Sequence, residues 1–256
     1  MPFVRAGGHR LEYVWFGTEQ TRASPIVMLH EGLGSLSLWK EFPQRLADAT
    51  GRRVLAYSRY GYGASDPLSG PRTVDFMHIE ALEVLPELRK ALGLHELVLF
   101  GHSDGASIAL IHAARSGLPV SAVIALAPHV FVERYGLDSI AETRLAFLDV
   151  DADLRPKLAR RHEDVESAFW GWNDIWLNPA FAEWNIEALL PEIVCPVLTI
   201  QGLDDEYGTL EQIERIAHGI RPGQLTRVEL ADCKHSPHRD QPDAVLAETA
   251  AFLRGS

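Results

Sequence analysis

Short runs of apolar, mostly β-branched or leucine positions recur along the chain at Ile26–Leu29, Val54–Tyr57, Leu97–Phe100, Val120–Leu126 and Val197–Ile200. Near-continuous apolarity over so few residues suits a strand buried on both faces, because successive side chains point to opposite sides and both must be covered. Between these runs, apolar positions repeat at helical spacing over Leu38–Ala49, Val74–Leu92, Ala106–Arg115 and Leu210–His218. Strand alternating with helix predicts an α/β fold, a mostly parallel central sheet with helices on both faces. Two flanking patterns complete it. Arg10–Phe16, after the turn Gly7-Gly8, alternates more strongly and predicts an antiparallel edge, and Leu225–Leu230 is the last strand-like run.

The rhythm breaks between Phe131 and Leu190. This stretch carries helical patterns and Trp170, Trp172, Trp176 and Trp184, but no buried strand. It predicts a core of residues 1–130 and 191–256 with a helical lid inserted over 131–190. No internal repeat or low-complexity tract suggests a solenoid or a tail.

Charge narrows the partners. Lys plus Arg number 24 against 35 Asp plus Glu, a formal net charge of -11. No basic cluster is denser than pairs such as Arg160-Arg161, which argues against nucleic acid. The same acidity assigns no substrate charge, since a few local groups set the polarity of a pocket. No segment approaches the roughly 20 apolar residues of a membrane span. The start Met1-Pro2-Phe3-Val4-Arg5 lacks the charged-then-apolar pattern of a secretory signal. A cytoplasmic protein with no membrane partner is expected, its two cysteines, Cys195 and Cys233, free.

The sharpest local signal is Gly101-His102-Ser103-Asp104-Gly105, a G-x-S-x-G placed directly after an apolar strand and before a helical run. A serine on so sharp a turn needs small residues two positions before and after it, which Gly101 and Gly105 provide. Four further segments fall in a fixed order around it: His30-Glu31-Gly32-Leu33-Gly34, Arg59-Tyr60-Gly61-Tyr62-Gly63-Ala64-Ser65, Gly202-Leu203-Asp204-Asp205, and His235 before Ser236-Pro237. Together these resemble the α/β-hydrolase superfamily, in its serine-nucleophile, esterase- and lactonase-like branch.

The resemblance implies roles. Ser103 would be the nucleophile and His235 the general base, with His238, three residues on, the competing histidine. The acid falls three residues beyond the glycine, at Asp205, with Asp204 the alternative. It would hold the His235 tautomer and stabilise the imidazolium. The backbone N–H groups of Gly32, or Leu33 as runner-up, and of Asp104 would form the oxyanion hole. His30 and Glu31 shape that turn rather than act as acid or base. Glu31 separates His30 from the first glycine, a departure from the commonest form, and Ser58 stands where the family commonly has an aspartate.

A serine at position 103 excludes the members of the superfamily that attack with aspartate. Acyl transfer to water remains, with esters and lactones first, thioesters and the carbon–carbon bonds of vinylogous diketones next. A non-catalytic ligand-binding protein on the same fold is the alternative of a different class. The partner is a small molecule, and neither cofactor nor metal is called for. Leu33, Trp39, His129, Trp170 and Trp176 are the substrate-contact candidates, an apolar or aromatic group being suggested by the tryptophans. Their competing role is to pack the lid onto the core.

Overall fold

The computed structural model describes residues 1–19, 21 and 23–255. Among the described residues eight strands form one sheet. β1 (Phe3–Ala6) and β2 (His9–Phe16) make an antiparallel hairpin at one edge. β3 (Ile26–Leu29), β4 (Val54–Tyr57), β5 (Leu97–His102), β6 (Val120–Leu126), β7 (Val197–Gly202) and β8 (Leu225–Leu230) follow in the order β1-β2-β4-β3-β5-β6-β7-β8. β2 joins β4 antiparallel, and every pairing from β4 to β8 is parallel. The expected sheet and its antiparallel edge are both present.

The two faces of the sheet divide the core by strict alternation. Val27, Leu29, Leu55, Tyr57, Leu97 and Leu99 enter one apolar cluster, while Ile26, Met28, Val54, Ala56, Val98 and Phe100 enter the other. α1 (Phe42–Thr50) covers the second face. It ends where Gly51 turns left-handed at φ 65° and returns its N–H to the Ala47 carbonyl, a common helix stop. The first face is covered by α2 (Phe76–Ile79), α3 (Leu85–Ala91) and α4 (Asp104–Arg115). α2 and α3 are one helical run joined by a wider π-helical stretch, Glu80–Val84, which carries the buried Glu80.

Between β6 and β7 the chain leaves the sheet as α5 (Arg134–Leu148), α6 (Leu154–Ala159), α7 (Val165–Trp176) and two short 3-10 turns. The Asp164 carboxylate caps α7 by accepting from the Ser167 N–H, a contact worth about 1 kcal/mol. The two ends of this excursion are fastened to each other. Phe131 bridges Asn185, Val132 N–H donates to Trp184 O, and Ile186 N–H donates to Val130 O. α8 (Glu211–Gly219) follows β7; α9 (Pro237–Asp240) and α10 (Pro242–Gly255) follow β8, with α10 beside α1. Both cysteines are free and buried. Among the described residues no helix is long and apolar enough to cross a membrane.

Candidate active site

In an open parallel sheet the loops at the carboxyl ends of the strands converge, and ligands bind there. The sequence-predicted residues occupy that rim: Gly32 and Leu33 beyond β3, Ser103 beyond β5, His129 beyond β6, Asp205 beyond β7 and His235 beyond β8. Ser103 has φ 53° and ψ −120°, a backbone state most side chains avoid, and α4 begins at the next residue. The turn is crowded by backbone. A Cβ at Gly101 would stand 2.3 Å from the Gly105 carbonyl oxygen, and one at Gly105 would stand 2.0 Å from that of Leu29.

His235 points its Nδ1 at Asp205, 2.8 and 2.9 Å from the two carboxylate oxygens. Its Nε2 makes no hydrogen bond among the described residues. Asp205 also accepts from Tyr207 N–H, Gly208 N–H and Gln201 Nε2, at 2.8, 3.2 and 2.7 Å. Asp204 is exposed, and among the described residues the His235 ring hydrogen-bonds to Asp205 and not to it. Burial opposes charge on Asp205, yet His235 and the backbone donors outweigh it and hold the carboxyl below its ordinary value. Burial likewise opposes charge on His235, and the Asp205 carboxylate raises the ring above its ordinary value. His238 does not line the cavity; its buried ring packs on Trp39 at 4.6 Å and on His102 at 4.9 Å, and burial lowers it well below the ordinary histidine value.

The turn after β3 is a tight one, Gly34 N–H donating to Glu31 O at 3.0 Å. His30 is wholly buried; its Nδ1–H donates to the same oxygen at 2.7 Å, and its Nε2 accepts from Arg59 N–H at 3.0 Å. A Cβ at Gly32 would stand 2.2 Å from the Trp172 indole, so no larger residue fits. Ser58, where the family commonly has an aspartate, is itself hydrogen-bonded to a carboxylate. Its hydroxyl donates to Glu12 Oε1 at 2.5 Å and accepts from Leu36 N–H at 2.8 Å. Glu12, buried on β2, also accepts from Ala64 N–H at 2.9 Å. The carboxylate that braces the glycine-rich turn comes from the antiparallel edge, 46 residues away in sequence.

One cavity of about 240 Å³ contains Ser103 and His235 together with Gly32, Leu33, His129 and Trp176. Its other walls include Leu38, Ile140, Leu154, Leu158, Trp172 and Tyr207, with Glu31, Glu133 and Arg239 as charged members and His102, Gly136 and Ser236 completing the lining. Burial, reinforced by His235, lowers His129 to about 3, leaving its ring neutral at ordinary pH. Asp104 is buried beneath the cavity and accepts from Trp176 Nε1 at 3.1 Å.

Two expected substrate contacts are corrected. Trp39 is 2% exposed and packs on Phe42, Phe100 and His238 in the core; the preceding residue, Leu38, faces the cavity instead. Trp170 lies on the outer side of α7, its indole donating to Glu166 at 2.9 Å and its ring against Phe147 and Phe169. It lines an outer groove with Leu68 and Ser167. Helix geometry supplies the reason: Trp172 and Trp176 are four residues apart and share a face, which Trp170 does not. That spacing was the unused signal for Trp172. Arg239 and Glu31, paired at 3.0 Å on the cavity wall, had no local signal.

A model of the alpha/beta hydrolase family matches residues 26–248. Proline iminopeptidase of Heyndrickxia coagulans is 24% identical over 98% of this chain and 97% of its own. An enol-lactonase from Burkholderia xenovorans LB400 superposes with a TM-score of 0.76 at 22% identity, covering 99% of this chain and 100% of that one. A thermophilic esterase from Thermogutta terrifontis gives 0.74 at 21% identity, over 100% and 99%. These two likenesses are of fold.

Proposed function

The chain belongs to the α/β-hydrolase family, and from that premise we propose that it is a serine hydrolase cleaving a carboxylic ester or lactone of a small apolar or aromatic substrate. Ser103 Oγ attacks the carbonyl carbon while His235 Nε2 takes its proton. Asp205 keeps Nδ1 protonated, so Nε2 presents its lone pair, and then stabilises the imidazolium. The oxygen that becomes negative is met by the N–H groups of Gly32 and Asp104, the latter at the positive end of α4. His235 returns the proton to the leaving oxygen, and water, activated by the same ring, releases the acyl group.

The observation that carries this reading is the meeting, in one cavity, of a serine in a strained turn and a histidine whose other nitrogen is bound to a buried carboxylate. A volume of about 240 Å³ with largely aliphatic and indole walls supports a small apolar acyl group. The helices between β6 and β7 act as the lid, Trp172 and Trp176 excluding water from above Ser103. His129, held neutral, offers the substrate a hydrogen bond without a charge.

The test is labelling by a fluorophosphonate followed by turnover of a panel. Ser103 becomes the modified residue, and Ser103→Ala loses at least about 10⁴-fold in kcat while melting near wild type. The panel holds a nitrophenyl acetate, a small enol-lactone, a thioester and a prolyl anilide, the last because a relative similar over nearly its whole length is named a proline iminopeptidase. Faster turnover of the anilide than of any ester would replace the ester reading with a peptidase one.

A further inference from the structure

We propose that Arg59 is a positioning residue for the oxyanion site, holding one of the two turns that supply its donors by a hydrogen bond and facing the first residue of the other with its charge; the inference rests on the acyl-transfer reading of Ser103. Its guanidinium is wholly buried, and Nη2 donates to Glu31 O at 3.0 Å. That oxygen belongs to the peptide unit whose N–H is that of Gly32. The unit is planar and trans, so its C=O and N–H point in opposite directions, and holding the oxygen aims the N–H. A charged donor on the oxygen also draws electron density away from the nitrogen, which leaves the N–H a better donor.

The same Nη2 lies 3.6 Å from Asp104 Oδ2. Asp104 opens α4 directly after Ser103, and its own N–H is the second donor. Trp176 holds the other carboxylate oxygen by a hydrogen bond, so the residue is held on one side and faced on the other by the Arg59 charge. Arg59 further donates its backbone N–H to His30 Nε2 at 3.0 Å, which commits the His30 proton to Nδ1 and so to Glu31 O. One residue thereby sets two of the three hydrogen bonds on that oxygen, the third coming from Gly34 N–H. Both turns are faced by the same terminal nitrogen of a rigid planar group, a position one bond beyond the end of a lysine side chain, whose freely rotating ammonium would stop short of it.

A buried ion pair that serves only the fold would link Arg59 to Asp104 equally well, so the test reads transition-state binding apart from stability. Arg59→Met is made with Asp104→Asn, so that no lone carboxylate is left buried, and compared with Asp104→Asn alone. The probe is a trifluoromethyl ketone, which adds to the serine and leaves an oxyanion, alongside kcat and KM for nitrophenyl acetate. The double variant should lose about 10- to 100-fold in both kcat and ketone affinity, with KM within about threefold. Asp104→Asn alone, with the grip on Glu31 intact, should lose clearly less.

A folded double variant with wild-type ketone affinity overturns the proposal, whatever its melting temperature. If the double variant does not fold, Arg59→Lys decides. Parallel losses of about fivefold or more in kcat and ketone affinity support the positioning role, and wild-type values of both overturn it. Fluorophosphonate labelling separates the two levels. Failure to label Ser103, with turnover retained in Ser103→Ala, sinks the acyl-transfer reading itself. A labelled Ser103 beside unaffected Arg59 variants sinks only the role of Arg59.

Discussion

The turn that carries Ser103 and the helix α7 facing it close on the same cavity, but they are built from different contacts. Around the serine the close approaches are backbone to backbone, with carbonyl oxygens standing where any Cβ of Gly101 or Gly105 would go. Across the helical insertion they are ring to ring. Phe147 stacks on Phe169 at 3.6 Å, and Trp176 meets His129 at 5.2 Å and Phe181 at 5.2 Å. Backbone atoms cannot be repacked without moving strands β3 and β5, whereas side chains change rotamer or are exchanged for others of similar volume. The elbow therefore leaves little room for a change of shape, while the side chains lining the insertion can be exchanged more freely.

The strongest way to break this contrast is Asp205→Asn set against Asp204→Asn. The first should lower kcat by about 10⁴-fold through loss of the correct His235 tautomer and of the charge that stabilises its protonated form. The second, on an exposed side chain, should stay within about twofold. The same pair reports on pH. In the proposed reaction His235 must be neutral to act, and its pKa lies above the ordinary value because Asp205, with Glu206 and Glu31 adding to it, outweighs the effect of burial. In the wild type kcat/KM should therefore fall as pH drops through a value above that of a free histidine. In Asp205→Asn, burial acts without the larger part of that opposition, and the acid limb should move to lower pH. An unmoved limb would mean that some other group titrates.

Gly105→Ala comes next. Its methyl would enter the space of Leu29 O at 2.0 Å, so thermal unfolding should show a loss of about 3 kcal/mol, at the upper end of overpacking. A variant melting like wild type would show the elbow to be more pliable than its geometry implies. The smallest and most selective effect belongs to α7. Trp176→Phe should shift the ratio of kcat/KM between bulky and short acyl esters by about 10-fold or more, since even a methylene-sized change in an apolar pocket alters preference by about 10- to 200-fold. Trp170→Phe, on the outer side, should leave the ratio unchanged. Equal shifts from both would erase the inner and outer faces of the helix as a determinant of specificity.

The legibility of the sequence follows the same division. β3 to β7 could be read because both of their faces are buried, which forces runs such as Ile26–Leu29 to be apolar throughout. The serine turn could be read because its glycines answer to steric demands set within a few residues. The spacing of Asp205 from Gly202 identified the carboxylate that reaches His235 because the loop after β7 is short. Trp39 and Trp170 were misread because a tryptophan satisfies a core and a cavity equally well, and one residue of offset on a helical turn exchanges them.

By itself, then, the sequence determined the order of strands and helices, the break between β6 and β7, and the sharp turn at Ser103, since each depends on neighbours within a few positions. Tertiary structure alone decided that Glu12 meets Ser58, that Trp172 rather than Trp170 faces the cavity, and that Arg59 lies against Glu31 and Asp104 together. Those contacts join segments tens of residues apart. They exist only once the pleat of the sheet and the rotation of each helix about its axis fix which side chains meet, and a pattern read one segment at a time holds neither quantity.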